Sequence, residues 1–280
     1  AACGIARAER AVSEEACFDR WIAEGCHAGM RYMENHRAIR LDPDGLVSGA
    51  KSVISVALNY YPAIRRDPSA PYIAYYAYGK DYHTVVKEKL RRLWQAIAGW
   101  FPEGAWKAGL GWIGKNTCLI LPGKGSFFFL GEIVTTLEVD AYDSPLKSRC
   151  GSCERCLKAC PTGALGAPRH LDASRCLSYL TIEHRGEIPP ERAARLGNRL
   201  YGCDMCQKAC PWNRFATPTE VEEFRPSAEL LALDWDTLRA WDEATYRRVF
   251  ARSAVKRAKY EGLTRTIRHL DSHERVFNNE

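Results

Sequence analysis

The sequence has no run of about 20 apolar residues, which is the length that a helix needs to cross a bilayer. Its first residues lack the charged segment and apolar core of a secretory signal. Neither sign of charge dominates, because 40 Lys and Arg stand against 34 Asp and Glu, for a net charge of +6. These absences predict a soluble protein with no membrane partner. A polyanionic partner is compatible with this charge but is not required by it.

Cysteine, by contrast, is plentiful. The chain has 12 Cys among 280 residues, and eight of them lie within or between two closely spaced runs. The other four are scattered: Cys3, Cys17, Cys26 and Cys118. A small secreted protein so rich in Cys would be a disulfide scaffold, whereas this distribution favours a reducing cytoplasm.

The two cysteine runs carry the strongest chemical signal. The first has the spacing of bacterial ferredoxins, Cys150-x2-Cys153-x2-Cys156-x3-Cys160-Pro161. The second is one cysteine short, Cys203-x2-Cys206-x3-Cys210-Pro211, and Cys176 can replace the missing residue. In ferredoxins the cysteine before proline binds the other cluster. We therefore expect one [4Fe–4S] cluster on a first set and one on a second set: Cys150, Cys153, Cys156 and Cys210; then Cys160, Cys176, Cys203 and Cys206.

Two other uses of paired cysteines are a disulfide framework and a tetrahedral zinc site. Neither requires a third cysteine at the same spacing, followed by x3-Cys-Pro and a near-copy downstream. The pattern therefore favours iron–sulfur clusters.

The pattern of apolar residues divides the chain into three regions. Residues 1–145 read as mixed α/β, with strands predicted at 52–58 and 126–136 and an amphipathic helix at 84–100. Residues 146–216 should form short helices and loops around the clusters. Residues 217–280 read as a helical tail, in which Ser253 is a candidate N-cap and Gly262 a predicted helix break.

The helical tail is also basic. Nine Lys and Arg residues lie between Arg247 and Arg275, with Tyr260 among them. Such a stretch is either a solvated helix face or a contact with a phosphate backbone. The second interpretation makes Lys256, Arg257 and Lys259 candidate phosphate contacts of a nucleic acid.

Segments outside the cysteines resemble the epoxyqueuosine reductase family. The resemblance runs from about residue 3 to about residue 270, and the order of its motifs along one chain is specific. The segments are His27–Met33, Arg40–Pro43, Leu46–Pro62, Tyr78–His83, Lys107–Thr117, Gly125–Glu132, Cys176–Glu183, Gly197–Asp204 and Cys210–Asn213.

The resemblance implies an α+β architecture in three domains. Residues 1–145 would be a corrinoid-binding α/β domain of the nitroreductase-like and cobalamin-processing kind. Residues 146–216 would be a ferredoxin-like domain with two [4Fe–4S] clusters. Residues 217–280 would be an α-helical, HEAT-like tail that contacts tRNA.

The resemblance also implies a reaction, which is reductive removal of the epoxide oxygen of epoxyqueuosine at the tRNA wobble position to give queuosine. Protein side chains do not supply electrons at low potential, so the chemistry requires cofactors. The implied cofactors are base-off cobalamin, used as cob(I)alamin, and the two [4Fe–4S] clusters that reduce it. The implied partners are the anticodon stem–loop of a queuosine-family tRNA and an external low-potential electron donor, for a cytoplasmic monomer.

Individual residues follow from the matching segments. The resemblance implies that Asp81 and His83 form a polar pair on the substrate side of the corrin; a surface Asp and a core His are the structural alternative. Residues expected near the cofactor or the nucleotide are Arg40, Asn59, Tyr60, Lys115, Asn116, Thr117, Ser178 and Tyr179.

One segment departs from the family pattern. The family has a Val-Asp-Thr/Ser-Gly/Ala-Pro strand before Lys107, and its aspartate is the implied proton donor, but here only Pro102–Trp106 remains. Glu103 is no clear substitute, because it lies in a Pro/Gly turn. Either the chain is a shortened homologue with weakened chemistry, or its sequence omits a segment of the natural molecule.

Two other functions fit part of the pattern. A plain two-cluster electron-transfer protein would explain the cysteines but would leave residues 1–145 without a role. A corrinoid-dependent reductive dehalogenase would use the same cofactors, but such enzymes usually carry a twin-arginine signal, and none is visible here.

Overall fold

The computed structural model describes residues 1–98 and 110–277. Within these residues, no helix combines the length and the hydropathy needed to cross a membrane. The described strands are β1 (Ala2–Arg7), β2 (Ser52–Asn59), β3 (Tyr72–Ile73), β4 (Trp112–Ile113), β5 (Leu119–Ile120), β6 (Phe128–Thr135) and β7 (Arg199–Tyr201).

The described α-helices are mostly short. They are α1 (Val12–Ala23), α2 (Arg37–Leu41), α3 (Tyr82–Ala98), α4 (Arg155–Lys158), α5 (Leu177–Ile182), α6 (Pro190–Ala193), α7 (Met205–Lys208), α8 (Ala228–Ala232), α9 (Trp235–Arg239), α10 (Glu243–Phe250) and α11 (Lys259–Phe277). The chain between Glu138 and Gly151 has no regular secondary structure. The prediction of short helices and loops around the cysteines is therefore confirmed.

An antiparallel sheet in the order β1-β2-β6 forms the scaffold of the first region. β2 is its central strand, with Ala57 opposite Ala2 on one side and Ser52 opposite Thr135 on the other. Val53, Ser55 and Ala57 are buried, as alternation along a strand requires. The predicted strands at 52–58 and 126–136 are confirmed.

Helix α3 packs across β6. A Cβ atom at Gly131 would lie 2.6 Å from Val86 and 3.0 Å from Leu90, so the glycine leaves the room that the helix occupies. The two apolar helix residues are one turn apart and face the sheet together. The amphipathic helix predicted at 84–100 is confirmed through residue 98, where the description ends.

The three regions predicted from the sequence share one hydrophobic core. Ile73 and Phe127 come from the first region, Leu200 from the second, and Phe224 and Phe250 from the third. The parallel pairing of β3 with β7 adds a backbone connection between the first two regions. The cluster-binding region is therefore held against the sheet domain by core packing as well as by chain connectivity.

The tail is helical as predicted, and side chains cap several of its helices. Ser227, Asp234 and Asp242 each accept a hydrogen bond from a backbone N–H in the first turn of α8, α9 and α10. Ser253 also acts as a cap, but for the 3-10 helix Ala254–Ala258.

The predicted helix break at Gly262 is wrong, because α11 runs through it. The change of direction falls at Lys259, whose φ of 61° ends the 3-10 helix before α11 begins. Gly262 instead faces Ala258 and Arg185, at 3.7 and 4.0 Å from the place of a Cβ atom. A glycine in a helix is not by itself a stop signal.

Candidate active site

Two short helices present the cysteines of the two runs. α4 carries Cys156 and α7 carries Cys206, and the two helices pack against each other. A turn after each helix places the cysteine that precedes proline, with Cys160 N–H donating to Leu157 O and Cys210 N–H donating to Gln207 O. The structure shows no disulfide bond among the twelve cysteines, all of which lie in its described part.

The first set of cysteines lies together around Cys210. Burial raises the pKa of the Cys210 thiol, and three thiols of the first run raise it further by their charge. These three are Cys156, Cys150 and Cys153. The residue before the second proline therefore sits with the first run, as the ferredoxin crossover predicts.

The second set lies around Cys176, outside both runs in sequence. Burial raises the pKa of Cys176, and Cys206 and Cys160 are among its charged neighbours. Burial likewise raises the pKa of Cys203 to about 11, with Cys176 and Cys206 nearby. Buried thiols with raised pKa values lose their protons when a metal binds them. Cys206 also lies near Cys118 and near Cys156 of the first set. The eight thiols therefore share one region, and their division into two sets of four stays a prediction.

Asp204 lies between two cysteines of the second set, and sequence reasoning missed it. Its backbone is left-handed, with φ of 54°, and its carboxylate is buried. Tyr72 O–H and Tyr75 N–H each donate to this carboxylate at 2.8 Å. Burial raises the pKa of Asp204, and the two hydrogen bonds oppose that rise. The sequence feature that could have pointed to Asp204 is the position of an acidic residue inside a cysteine run.

Asp81 and His83 are brought together at the start of α3. Nδ1 of His83 lies 2.8 Å from Oδ1 of Asp81, and Nζ of Lys256 lies 2.7 Å from Oδ2. Burial raises the pKa of Asp81, but the hydrogen bonds from Lys256 and His83 outweigh it and hold the pKa below its usual value. Because an ionised carboxylate only accepts hydrogen bonds, Nδ1 of His83 carries the proton.

The structural alternative, a surface Asp and a core His, does not hold, because Asp81 is the buried residue and His83 the exposed one. The Asp81 side chain is 10% exposed, whereas that of His83 is 71% exposed. His83 stacks on Tyr82, which in turn stacks on Phe129 of β6. Among the described residues, Nε2 of His83 has no hydrogen-bond partner, so it is free to contact a bound molecule.

Arg257 makes a second ion pair beside this site. Its guanidinium donates twice to the Glu183 carboxylate, at 2.8 Å each, and lies over the Tyr32 ring. Of the three predicted tRNA-binding cations, Lys256 and Arg257 thus hold carboxylates of this protein. Lys259 is exposed and has no ion-pair partner among the described residues.

Five of the residues predicted near the cofactor use their polar groups within the protein. Arg40 donates to Tyr32 O, Asn59 to Thr217 O, and Asn116 to Cys206 O. The hydroxyls of Tyr60 and Tyr179 accept from Gln207 Nε2 and from Gly29 N–H. These five residues position the segments around the site.

Three residues of the predicted cofactor set remain available. Lys115, Thr117 and Ser178 have no polar side-chain partner within residues 1–98 and 110–277. Thr117 has a left-handed backbone, with φ of 66°, in the turn between β4 and β5. A hydroxyl or ammonium group without a protein partner suits the polar periphery of a large cofactor. These three residues are therefore compatible with a bound corrinoid.

The departure from the family pattern at Pro102–Trp106, including Glu103, lies outside the described residues. The first residues of the glycine-dense segment, Lys107 to Gly109, lie outside them as well.

Comparison with known proteins identifies the family. Residues 40–109 match the family model described as epoxyqueuosine reductase QueG, and residues 149–213 match a 4Fe-4S double cluster binding domain. The chain is 44% identical to the epoxyqueuosine reductase of Leadbetterella byssophila, over 95% of this chain and 92% of that protein. The chain belongs to the epoxyqueuosine reductase family. The resemblance and the iron–sulfur prediction are confirmed.

Solved structures of the family have the same fold. The epoxyqueuosine reductase of Bacillus subtilis, with its catalytic loop swung out of the active site, has a TM-score of 0.88 at 30% identity, over 97% of this chain and 77% of that one. A family structure with an epoxyqueuosine-modified tRNA-Tyr stem loop has a TM-score of 0.86 at 29% identity, with the same coverage. The predicted mixed α/β fold is confirmed.

The alignment with the family also bears on the shortened segment. The Leadbetterella protein aligns over 284 residues, more than the 280 of this chain, although only 95% of this chain takes part. The relative therefore has residues within the matched range that this chain lacks.

Proposed function

We propose that this chain is an epoxyqueuosine reductase, an oxidoreductase that removes the epoxide oxygen of epoxyqueuosine in the anticodon stem–loop of tRNA. The observation that carries the proposal is the coincidence of two features in one chain. The match to an epoxyqueuosine reductase extends over 95% of this chain, and residues 149–213 match a 4Fe-4S double cluster binding domain, whose ligands would be the two predicted sets of four cysteines.

Cobalamin in base-off form is the second proposed cofactor, since bound cobalamin supplies the two-electron chemistry that side chains lack. Lys115, Thr117 and Ser178 are the proposed contacts, because their polar side chains have no partner among the described residues. The five residues with internal hydrogen bonds would shape the site without touching the cofactor. We also propose the nitroreductase-like and HEAT-like characters of the two flanking domains, with borders near 145 and 216.

The Asp81–His83 pair would hold the substrate. Asp81 fixes the tautomer and the orientation of the His83 ring through Nδ1, at 2.8 Å. The exposed Nε2 edge is then free to accept a hydrogen bond from the diol on the epoxide-bearing ring of the nucleoside. Lys256 keeps the Asp81 carboxylate ionised, so that this orientation is maintained at neutral pH.

The tRNA backbone would lie along the basic face of the tail. Lys259 is the proposed phosphate contact, because it is exposed and no carboxylate of the described residues pairs with it. Lys256 and Arg257 would bind phosphates more weakly, because Lys256 already forms an ion pair with Asp81 and Arg257 with Glu183. We also propose that the enzyme acts as a monomer in the cytoplasm and takes electrons from an external donor.

The test is an anaerobic single-turnover assay. Protein with reconstituted clusters is supplemented with cobalamin, chemically reduced, and mixed with a stem–loop that contains epoxyqueuosine; the product nucleosides are separated by mass. Formation of queuosine supports the proposal. No queuosine, under conditions in which a relative reacts and both clusters of this chain are reduced, would refute it for this chain.

A further inference from the structure

A basic hollow opens beside Cys210 of the first set. Its volume is about 470 Å³, and Cys210 is among the residues that line it. Four cations, all of them exposed, form the rim: Arg65, Arg155, Lys208 and Arg214. Within residues 1–98 and 110–277, no Asp or Glu lines the hollow.

The rim cations make no ion pair within the described part of the chain, although the charge of the buried Asp204 acts on Lys208. The nearby Glu154 is already paired with Lys158 at 3.3 Å. Aromatic rings hold three of the rim residues instead. The guanidinium of Arg65 lies over Tyr61, and that of Arg214 lies over the next residue along the chain, Phe215.

Lys208 is held in the same way. Its Nζ lies 3.8 Å from the centre of the Tyr72 ring and 4.7 Å from that of Tyr75. A cation above a ring is oriented but not neutralised. The hollow therefore carries an excess of positive charge beside Cys210, a residue of the first set.

We propose that this hollow is the docking surface for an acidic, low-potential electron-carrier protein of the flavodoxin or ferredoxin class. This inference rests on the proposed function, because it requires a cluster on the first set. Electron-transfer partners meet through small, charged interfaces whose complementarity raises the association rate. A net charge of +6, with four unpaired cations around one cluster ligand, suits an acidic partner.

The electron count is simple. Each encounter oxidises the carrier by one electron and reduces the first cluster by one electron. Two encounters supply the two electrons that break the epoxide C–O bonds, while two protons from the solvent complete the water that leaves. The first set would be the entry point, because Cys210 lines the hollow. The second set would pass the electrons on to the proposed cofactor.

The test is the rate at which reduced flavodoxin bleaches the cluster absorbance in a stopped-flow instrument. Triple charge reversal, Arg65→Glu with Arg155→Glu and Arg214→Glu, should lower the second-order rate constant at least tenfold at low ionic strength. The rate constants of the native protein and the variant should become equal near 1 M salt, where the screening length falls to about 3 Å. Iron content and circular dichroism establish that the variant is folded and loaded.

A matched variant carries the same change of net charge elsewhere, as Arg20→Glu with Lys51→Glu and Lys87→Glu. These three cations are exposed and have no ion-pair partner among the described residues. Photoreduced deazariboflavin, which is uncharged, serves as a second electron source. The proposal requires that the matched variant keep the native rate with flavodoxin and that all proteins react equally with deazariboflavin.

Two results would overturn the proposal. One is an unchanged flavodoxin rate in the variant with the reversed rim. The other is loss of tRNA stem–loop binding by that variant while its flavodoxin rate is retained, which would assign the hollow to nucleic acid. The assay measures reduction of the clusters in the absence of epoxyqueuosine. Its result therefore tests the docking surface even if the protein proves unable to reduce epoxyqueuosine.

Discussion

Nζ of Lys256 lies 2.7 Å from the Asp81 carboxylate, and this ion pair joins the basic tail to the proposed substrate site. The two residues belong to regions that the sequence separates. A cation that the sequence suggested as a tRNA contact thus helps to keep Asp81 ionised at the proposed substrate site.

The first prediction concerns this ion pair. Since Lys256 helps to hold the pKa of Asp81 low, the Asp81 contribution to stability is present above its unfolded value of about 3.9 and is lost as the pH falls through the lower folded pKa. Lys256→Met should raise the folded pKa and move the acid limb of the pH–rate profile for stem–loop reduction to higher pH. Lys256→Arg should keep the native profile, and an identical acid limb in Lys256→Met would contradict the assignment.

The second prediction concerns Cys176. Two clusters of four irons require about eight irons per chain. Cys176→Ala should damage only the second cluster, since its charged neighbours Cys160 and Cys206 belong to the second set. Iron analysis and the electron paramagnetic resonance spectra of the reduced protein measure this. Cys17→Ala, at an exposed cysteine outside both sets, is the control, and an unaltered second signal in Cys176→Ala would remove that residue from the ligands.

The third prediction concerns tRNA affinity, which should fall as salt rises, because contacts with phosphates release counterions. Reversal of Lys256, Arg257 and Lys259 to Glu together should weaken binding by about 1–3 kcal/mol, at about 1 kcal/mol for the Lys259 contact and less for each of the two cations that are paired with an acid. Lys259→Glu alone should account for one full contact, because this cation has no carboxylate partner in the described part of the chain. Fluorescence anisotropy of a labelled stem–loop measures both variants against Lys51→Glu. Unchanged binding would make the basic stretch a solvated helix face.

The fourth prediction concerns the shortened segment. If the family's proton donor is missing, the chain should bind its cofactors yet reduce epoxyqueuosine slowly, and inserting Val-Asp-Thr-Gly-Pro between Ala105 and Trp106 should accelerate the single turnover by about 10²–10⁴-fold. The same insertion with Asn in place of Asp restores the backbone but not the acid. It therefore distinguishes the effect of the carboxyl group from that of the added residues. Equal rates for the native chain and both insertions would place the proton source elsewhere.

The sequence predicted those features that depend on local spacing. Alternating buried residues in β2 and the helical period of α3 gave the correct element types, and cysteine spacing gave both sets of cluster ligands as proposals. The ion pairs of Lys256 with Asp81 and of Arg257 with Glu183 could not be predicted, because each joins residues that only the fold brings together. The helix break predicted at Gly262 was wrong for a related reason, since the packing around this glycine also depends on the fold. It lies within α11 and close to Arg185, a residue far away in sequence.

The shared core has a consequence for the cell. Leu200 and Tyr201, just before the second cysteine run, are packed into the same core as the sheet domain, so loss of the clusters would loosen the catalytic half as well. Binding of a cofactor to the folded state stabilises that state by mass action, and its withdrawal has the opposite effect. When iron is scarce, the unfolded fraction should rise and proteases should remove it. The abundance of this enzyme, and with it the extent of queuosine modification, would then follow the supply of iron.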